Sequence, residues 1–178
     1  MRCETHSKTM KTPPTFTATK SNQIILAIDP GYDRIGFAVL AGTRSNPTLI
    51  TMGCLTTNRA DTHSERLNNI AIAIKKLISV HHPTIAAVEQ LFFSRNVKTA
   101  LKVAEARGVI MNTFTNSKLP IQEFSPQAVK IAATGHGAAD KKQVLKMLKL
   151  IFKSNLTSEQ DDAADALALA LCALTQTK

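Results

Sequence analysis

Apolar runs of two periodicities alternate along residues 23–174. Ile24-Ile25-Leu26-Ala27-Ile28 and Ile35-Gly36-Phe37-Ala38-Val39-Leu40 predict strands over 23–29 and 35–40, joined by a short turn with Gly31 and Gly36 about it. Residues 48–55 predict a third strand, so the chain opens as a meander. Thr62-His63-Ser64-Glu65 has the form of a capping box. It opens a helix that carries Leu67, Ile70, Ile74, Leu77 and Ile78 on one face and ends before Pro83. Residues 84–89 are apolar at odd and even positions alike, as in a strand covered on both faces. A helix from about 95 to 116 follows. Its apolar stripe includes Val97, Leu101 and Ala104, while Arg95, Lys98 and Lys102 project together elsewhere. Residues 120–124 predict a short strand, and Ser125-Pro126 supplies an N-cap and a first-turn proline for the next helix. Gly135-His136-Gly137 breaks the chain before a helix near 139–152, where Lys142, Lys146, Lys149 and Lys153 lie opposite Val144, Leu145, Leu148 and Phe152. A last helix spans about 158–174. Strands first in a meander, then alternating with helices, predict an α/β fold whose sheet is sandwiched by helices.

Length and charge narrow the class. A chain of 178 residues fits one domain with a full hydrophobic core. A net charge of +9 points to a polyanionic partner, nucleic acid first and an acidic membrane surface second. With no Trp and a single Tyr, any stacking on bases falls to Phe. No apolar stretch approaches the ~20 residues of a membrane span. The richest, Ala163 to Leu174, is interrupted by Asp165. Cys3, Cys54 and Cys172 are odd in number and far apart, which suits neither a disulfide framework nor a C-x-x-C metal motif. A reducing compartment, the cytoplasm, is therefore expected. Residues 1–23 are rich in Thr, Lys and Pro and nearly free of acids, and they read as a disordered basic arm. A transit peptide has similar composition, and an upstream start codon ahead of a domain beginning near Gln23 is an equal alternative.

Four carboxylates carry the candidate chemistry. Asp29 ends the first apolar run, before Pro30-Gly31, and Glu89 ends the run Thr84-Ile85-Ala86-Ala87-Val88. Asp162 and Asp165, three apart at the start of the last helix, share one helix face. Residues at the carboxyl ends of central strands face the crevice where open α/β sheets bind ligands. If the last helix packs beside that edge, all four acids converge, and they stay ionised together only with cations between them. Hard oxygen donors suit Mg²⁺ or Mn²⁺ rather than zinc, and two such ions can drive phosphodiester hydrolysis. Each acid also has a structural explanation. Asp before Pro-Gly is a turn former, and acids in a first helical turn are favoured by the helix dipole.

Four motifs, taken together, resemble the bacterial RuvC Holliday-junction resolvases of the RNase H-like nuclease superfamily. They are Ile28-Asp29-Pro30-Gly31 with Gly36, then Glu89-Gln90-Leu91-Phe92-Phe93-Ser94-Arg95-Asn96 running on to Ala106-Arg107-Gly108. Ala128-Val129-Lys130, Gly135-His136-Gly137 and Ala139-Asp140-Lys141-Lys142-Gln143-Val144 form the third, and Asp162-Ala163-Ala164-Asp165-Ala166-Leu167-Ala168 the fourth. The similarity covers residues 24–174 in order. Tyr32-Asp33-Arg34-Ile35-Gly36 departs from the pattern. Its Arg-Ile-Gly is similar to YqgF-like relatives linked to ribosomal RNA processing, in which Glu-Gln-x-Phe-Phe is not expected.

The resemblance implies an RNase H-like nuclease domain over 24–178, with a mixed five-stranded sheet flanked by helices on both faces. It also implies a homodimer that cleaves two opposed strands of four-way junction DNA, working beside a branch-migration complex of the RuvA–RuvB type. By position, Asp29, Glu89, Asp162 and Asp165 would bind two Mg²⁺ ions, with Mn²⁺ as a substitute. Lys130 and Lys141 would lie near the scissile phosphate, with Lys141 among the catalytic groups. Phe92 and Phe93 would meet bases at the junction centre, and Arg95, Lys98, Lys102 and Lys142 would hold the DNA backbone. A related nuclease acting on RNA, and a catalytically silent junction-binding protein, are the rival readings.

Overall fold

The computed structural model describes residues 23–90, 97–153, 156 and 161–176. In chain order the elements are β1 (Gln23–Asp29), β2 (Arg34–Thr43), β3 (Asn46–Thr56), α1 (His63–His81), β4 (Ile85–Glu89), α2 (Val97–Asn116), β5 (Ile121–Phe124), α3 (Pro126–Thr134), α4 (Lys141–Phe152) and α5 (Asp161–Gln176). The five strands form one sheet in the order β3-β2-β1-β4-β5. β2 lies antiparallel to β1 and β3, whereas β1, β4 and β5 run parallel, so the expected mixed sheet is present. β2 runs past the predicted residue 40 because it turns into β3 through only Arg44 and Ser45. Gly42 makes that tight return feasible. Its φ is 106°, and a Cβ there would sit 2.4 Å from the Asn46 carbonyl oxygen.

Period-2 alternation splits the core between the two sheet faces. Leu26, Ile28, Val39, Ala86 and Val88 pack with Ile70 and Ile74 of α1 and with Ala106, Ile110 and Phe114 of α2. On the other face Ile25, Ala27, Leu40 and Ala87 pack with α3, α4 and α5. Leu101 does not belong to the buried stripe of α2 as expected; it is 60% exposed. Ala106, Ile110 and Phe114, at i, i+4, i+8 spacing, offer a better-filled seam and set the rotation of the helix.

α5 is apolar all round, and from Ala163 to Leu174 every residue except Asp165 is buried. Such a helix belongs inside, where each fully buried Leu is worth roughly 1.5–3 kcal/mol. It crosses β1, β2 and β3. Its start is set by Gly36 of β2, where an added Cβ would lie 1.9 Å from the Asp162 carbonyl oxygen. Among the described residues no helix is long and apolar enough to cross a membrane.

Candidate active site

Two contacts of the sheet bring the acids together. The parallel register pairs Ile28 with Val88, so Asp29 and Glu89 follow side by side at the same sheet edge. The antiparallel register pairs Asp29 with Gly36, the residue on which the first turn of α5 rests. Helix α5 therefore delivers its acids beside Asp29. Asp29, Glu89 and Asp165 line a cleft of about 330 Å³, whose apolar wall includes Val129, Val144 and Leu169. Lys130 of α3 and Lys141 of α4 enter from the opposite side.

Crowding of like charges in a half-buried place shows in the protonation equilibria. Burial, and then the charges of Glu89, Asp165 and Asp162, push the Asp29 carboxyl up to about 7. Burial and Asp165 also raise Glu89, against the opposing pull of Lys141 and Lys130. Asp165 is raised by burial although Lys141 donates to it. The Lys141 ammonium lies 2.9 Å from Asp165 Oδ2 and 3.1 Å from Asp161 Oδ2, and these bonds hold it firmly protonated. Its placement follows from a capping box at α4. Asp140 accepts from the Gln143 backbone N–H, and Gln143 accepts from that of Asp140, which makes Lys141 the first residue of the helix.

Asp162 is drawn aside. Arg34 Nε donates to Asp162 Oδ2 at 2.5 Å, and Cys54 Sγ is 3.6 Å from the same oxygen. Among the described residues no three His, Cys, Asp or Glu side chains are gathered closely enough to hold an ion as they stand. Arg34 and Lys141 occupy the carboxylates that α5 contributes. The all-oxygen donor set and the raised carboxyls nonetheless fit a hard divalent cation, whose charge would relieve the same repulsion. Such an ion competes with the arginine and the lysine.

Of the predicted contact residues, Lys130 and Lys141 reach the cleft, while Lys142 is exposed and outside its lining. Phe92, Phe93 and Arg95 lie outside the described residues, and of Lys98 only the backbone, in the first turn of α2, is described. Three residues were not singled out by pattern. Arg34 could not be, since its partner lies 128 positions away. Asp161 adjoins a recognised acid. Arg107 sits inside a recognised motif: its Nε donates to the Glu89 carbonyl oxygen at 3.2 Å, and its guanidinium also pairs with Glu123. It straps α2 to the ends of β4 and β5.

A β3-β2-β1-β4-β5 sheet with acids at the ends of β1 and β4 and on the helix laid across them defines an RNase H-like nuclease, a metal-dependent class. The family described as "Crossover junction endodeoxyribonuclease RuvC" matches residues 25–173, and the chain belongs to that family. Over 149 residues it is 45% identical to the Petrotoga mobilis protein of that name, covering 84% of this chain and 91% of the relative. The Thermosipho melanesiensis protein is 42% identical over 154 residues, covering 86% and 98%. Thermus thermophilus RuvC, solved in complex with Holliday junction substrate, superposes with a TM-score of 0.79 at 29% identity, covering 84% of this chain and 92% of that one.

Proposed function

We propose that this chain is a structure-selective endonuclease that resolves Holliday junctions by paired symmetric nicks. The observation that carries the reading is the meeting of Asp29, Glu89 and Asp165 with Lys130 and Lys141 in one cleft at the carboxyl edge of the sheet. Family membership and the junction-bound Thermus relative support it. Asp29, Glu89, Asp162 and Asp165 would hold two Mg²⁺ ions, with Mn²⁺ as a substitute. When bound, such ions supply Lewis-acid activation of water and neutralise charge on the phosphate. The Lys141 ammonium, kept charged by Asp165, opposes charge that builds on the scissile phosphate, and Lys130 draws that phosphate in from α3. Before an ion takes Asp165, that carboxylate and Asp161 hold Lys141 in place, and Asp161 remains its partner afterwards, while Arg107 holds the strand end from which Glu89 projects.

Phe92 and Phe93 would contact bases at the junction centre, with Arg95, Lys98 and Lys142 on the backbone. A homodimer supplies two active sites for two symmetric cuts, and closed two-fold symmetry matches that of the junction. The setting is a reducing cytoplasm, beside a RuvA–RuvB type complex, and residues 24–178 form the nuclease domain.

The test is nicking of a synthetic four-way junction in Mg²⁺. Asp29→Asn and Glu89→Gln are expected to abolish nicking while junction binding, read by gel shift, survives. Full cleavage by either variant overturns the reading. Linear duplex and RNA–DNA hybrid run in parallel, and preferential cleavage of the hybrid would transfer the assignment to RNA.

A further inference from the structure

A second cleft of about 860 Å³ opens on the other side of the turn that follows Asp29. It lies between the β1–β2 turn, the start of α1 and the first half of α2. Arg34 lines it, yet the same side chain bonds Asp162. Four cationic side chains, from Arg34, Arg59, Arg66 and Lys102, face only two carboxylates, Asp33 and Glu105.

The pairing leaves positive charge over. Asp33 is shared by Arg66 and Arg59, so one carboxylate answers two guanidinium groups. Glu105 is 3.0 Å from His63 Nε2. Among the described residues Lys102 pairs with no carboxylate; its ammonium lies 5.4 Å from the centre of the Tyr32 ring. The floor is built rather than loose. Tyr32 is buried, its hydroxyl is 2.7 Å from His63 Nδ1, and the Arg66 guanidinium stacks 3.9 Å above its ring. Arg66 is also buried and donates to Thr57 Oγ1 and to the Tyr32 carbonyl oxygen. The rim groups reach solvent, the Arg59 side chain being 83% exposed.

We infer that this cleft is a second binding site for a phosphodiester backbone, holding the DNA strand where it leaves the catalytic cleft, with Arg59 and Lys102 as its exposed phosphate contacts. It rests on the junction-cleaving reading, since the occupant is a further stretch of the same DNA. Arg34, which lines this cleft and bonds Asp162, links the two tracks.

The experiment measures binding of a fluorescent four-way junction by anisotropy across a salt series, with Asp165→Asn protein so that the DNA stays whole. Adding Arg59→Ala with Lys102→Ala is expected to weaken binding about tenfold. Each lost phosphate contact releases about 0.9 fewer counterions, so the slope of log K against log[salt] falls by about 2. Lys75→Ala with Lys76→Ala removes equal charge from an exposed part of α1 and is expected to leave the slope unchanged. In protein with Asp165 intact, the Arg59/Lys102 pair raises KM for the junction and leaves kcat unaltered. Unchanged affinity and slope, or a loss no larger than that of the Lys75/Lys76 pair, overturns the inference. Failure of unsubstituted protein to nick a junction would overturn the proposed function instead, and the anisotropy comparison would still decide the second site.

Discussion

Asp29 has the clearest consequence at the residue scale. Its carboxyl titrates near 7 in the folded chain and near 3.8 as an ordinary side chain. Below pH ~4 both states hold the proton and nothing is lost. Between about 4 and 7 the unfolded chain ionises while the folded one does not, so stability falls as pH rises, by at most about 4 kcal/mol. Asp29→Asn removes that loss. In chelator at pH 8 calorimetry should find the variant melting higher than the unsubstituted protein, with the difference gone at pH 4. Divalent ions need the ionised carboxylates. Titration calorimetry with Mn²⁺ should therefore show affinity climbing from pH 6 to 8, with protons released on binding. Lys141 lowers Asp29 and opposes the rise at Glu89 and Asp165. Replacing it, as in Lys141→Met, should move that whole profile to higher pH. Asp29 and Glu89 were legible because each is an acid that closes an apolar run. Arg34 was not, because no local pattern reports a partner on the last helix.

Among the elements, α5 depends on one glycine. The 1.9 Å approach of a Cβ at position 36 to the Asp162 carbonyl oxygen leaves no room for alanine. Backbone must shift to admit it, and overpacking of this kind costs about 1–3 kcal/mol. Gly36→Ala should lower the melting temperature and cut nicking by more than tenfold, because Asp162 and Asp165 travel with the displaced turn. A variant that melts earlier yet nicks normally would show that the helix start does not set the acids. Arg107 makes a second strap, from α2 to the ends of β4 and β5. Arg107→Met leaves the Glu89 carbonyl without this donor, and kcat is expected to fall about tenfold with junction affinity held. The helices themselves were readable, since Thr62 and Ser125 occupy the N-caps their residue types suggest. The rotation of α2 was not, because Leu101 and Ala106 both fit a helical stripe and only packing against Ile28 and Val88 chooses between them.

At the scale of the whole molecule, one chain presents one catalytic cleft, and two symmetric cuts call for two. Under the homodimer proposed above, dimers mixed from unsubstituted and Asp165→Asn chains should nick one strand of each junction and leave its opposite intact, which a strand-labelled denaturing gel reads directly. Paired nicks from mixed dimers would show that one cleft serves both strands. The sequence by itself determined the elements, their order, the strand-end acids and the basic character that calls for a polyanion. These follow from local propensity, from periodicities of 2 and 3.6, and from motif spacing. It took the tertiary fold to decide that Asp165 faces Asp29 while Asp162 turns to Arg34, and that a cationic cleft lies behind the β1–β2 turn. Those contacts join residues tens to more than a hundred positions apart, and the packing of α5 on Gly36 and the parallel register of β1 with β4 create them.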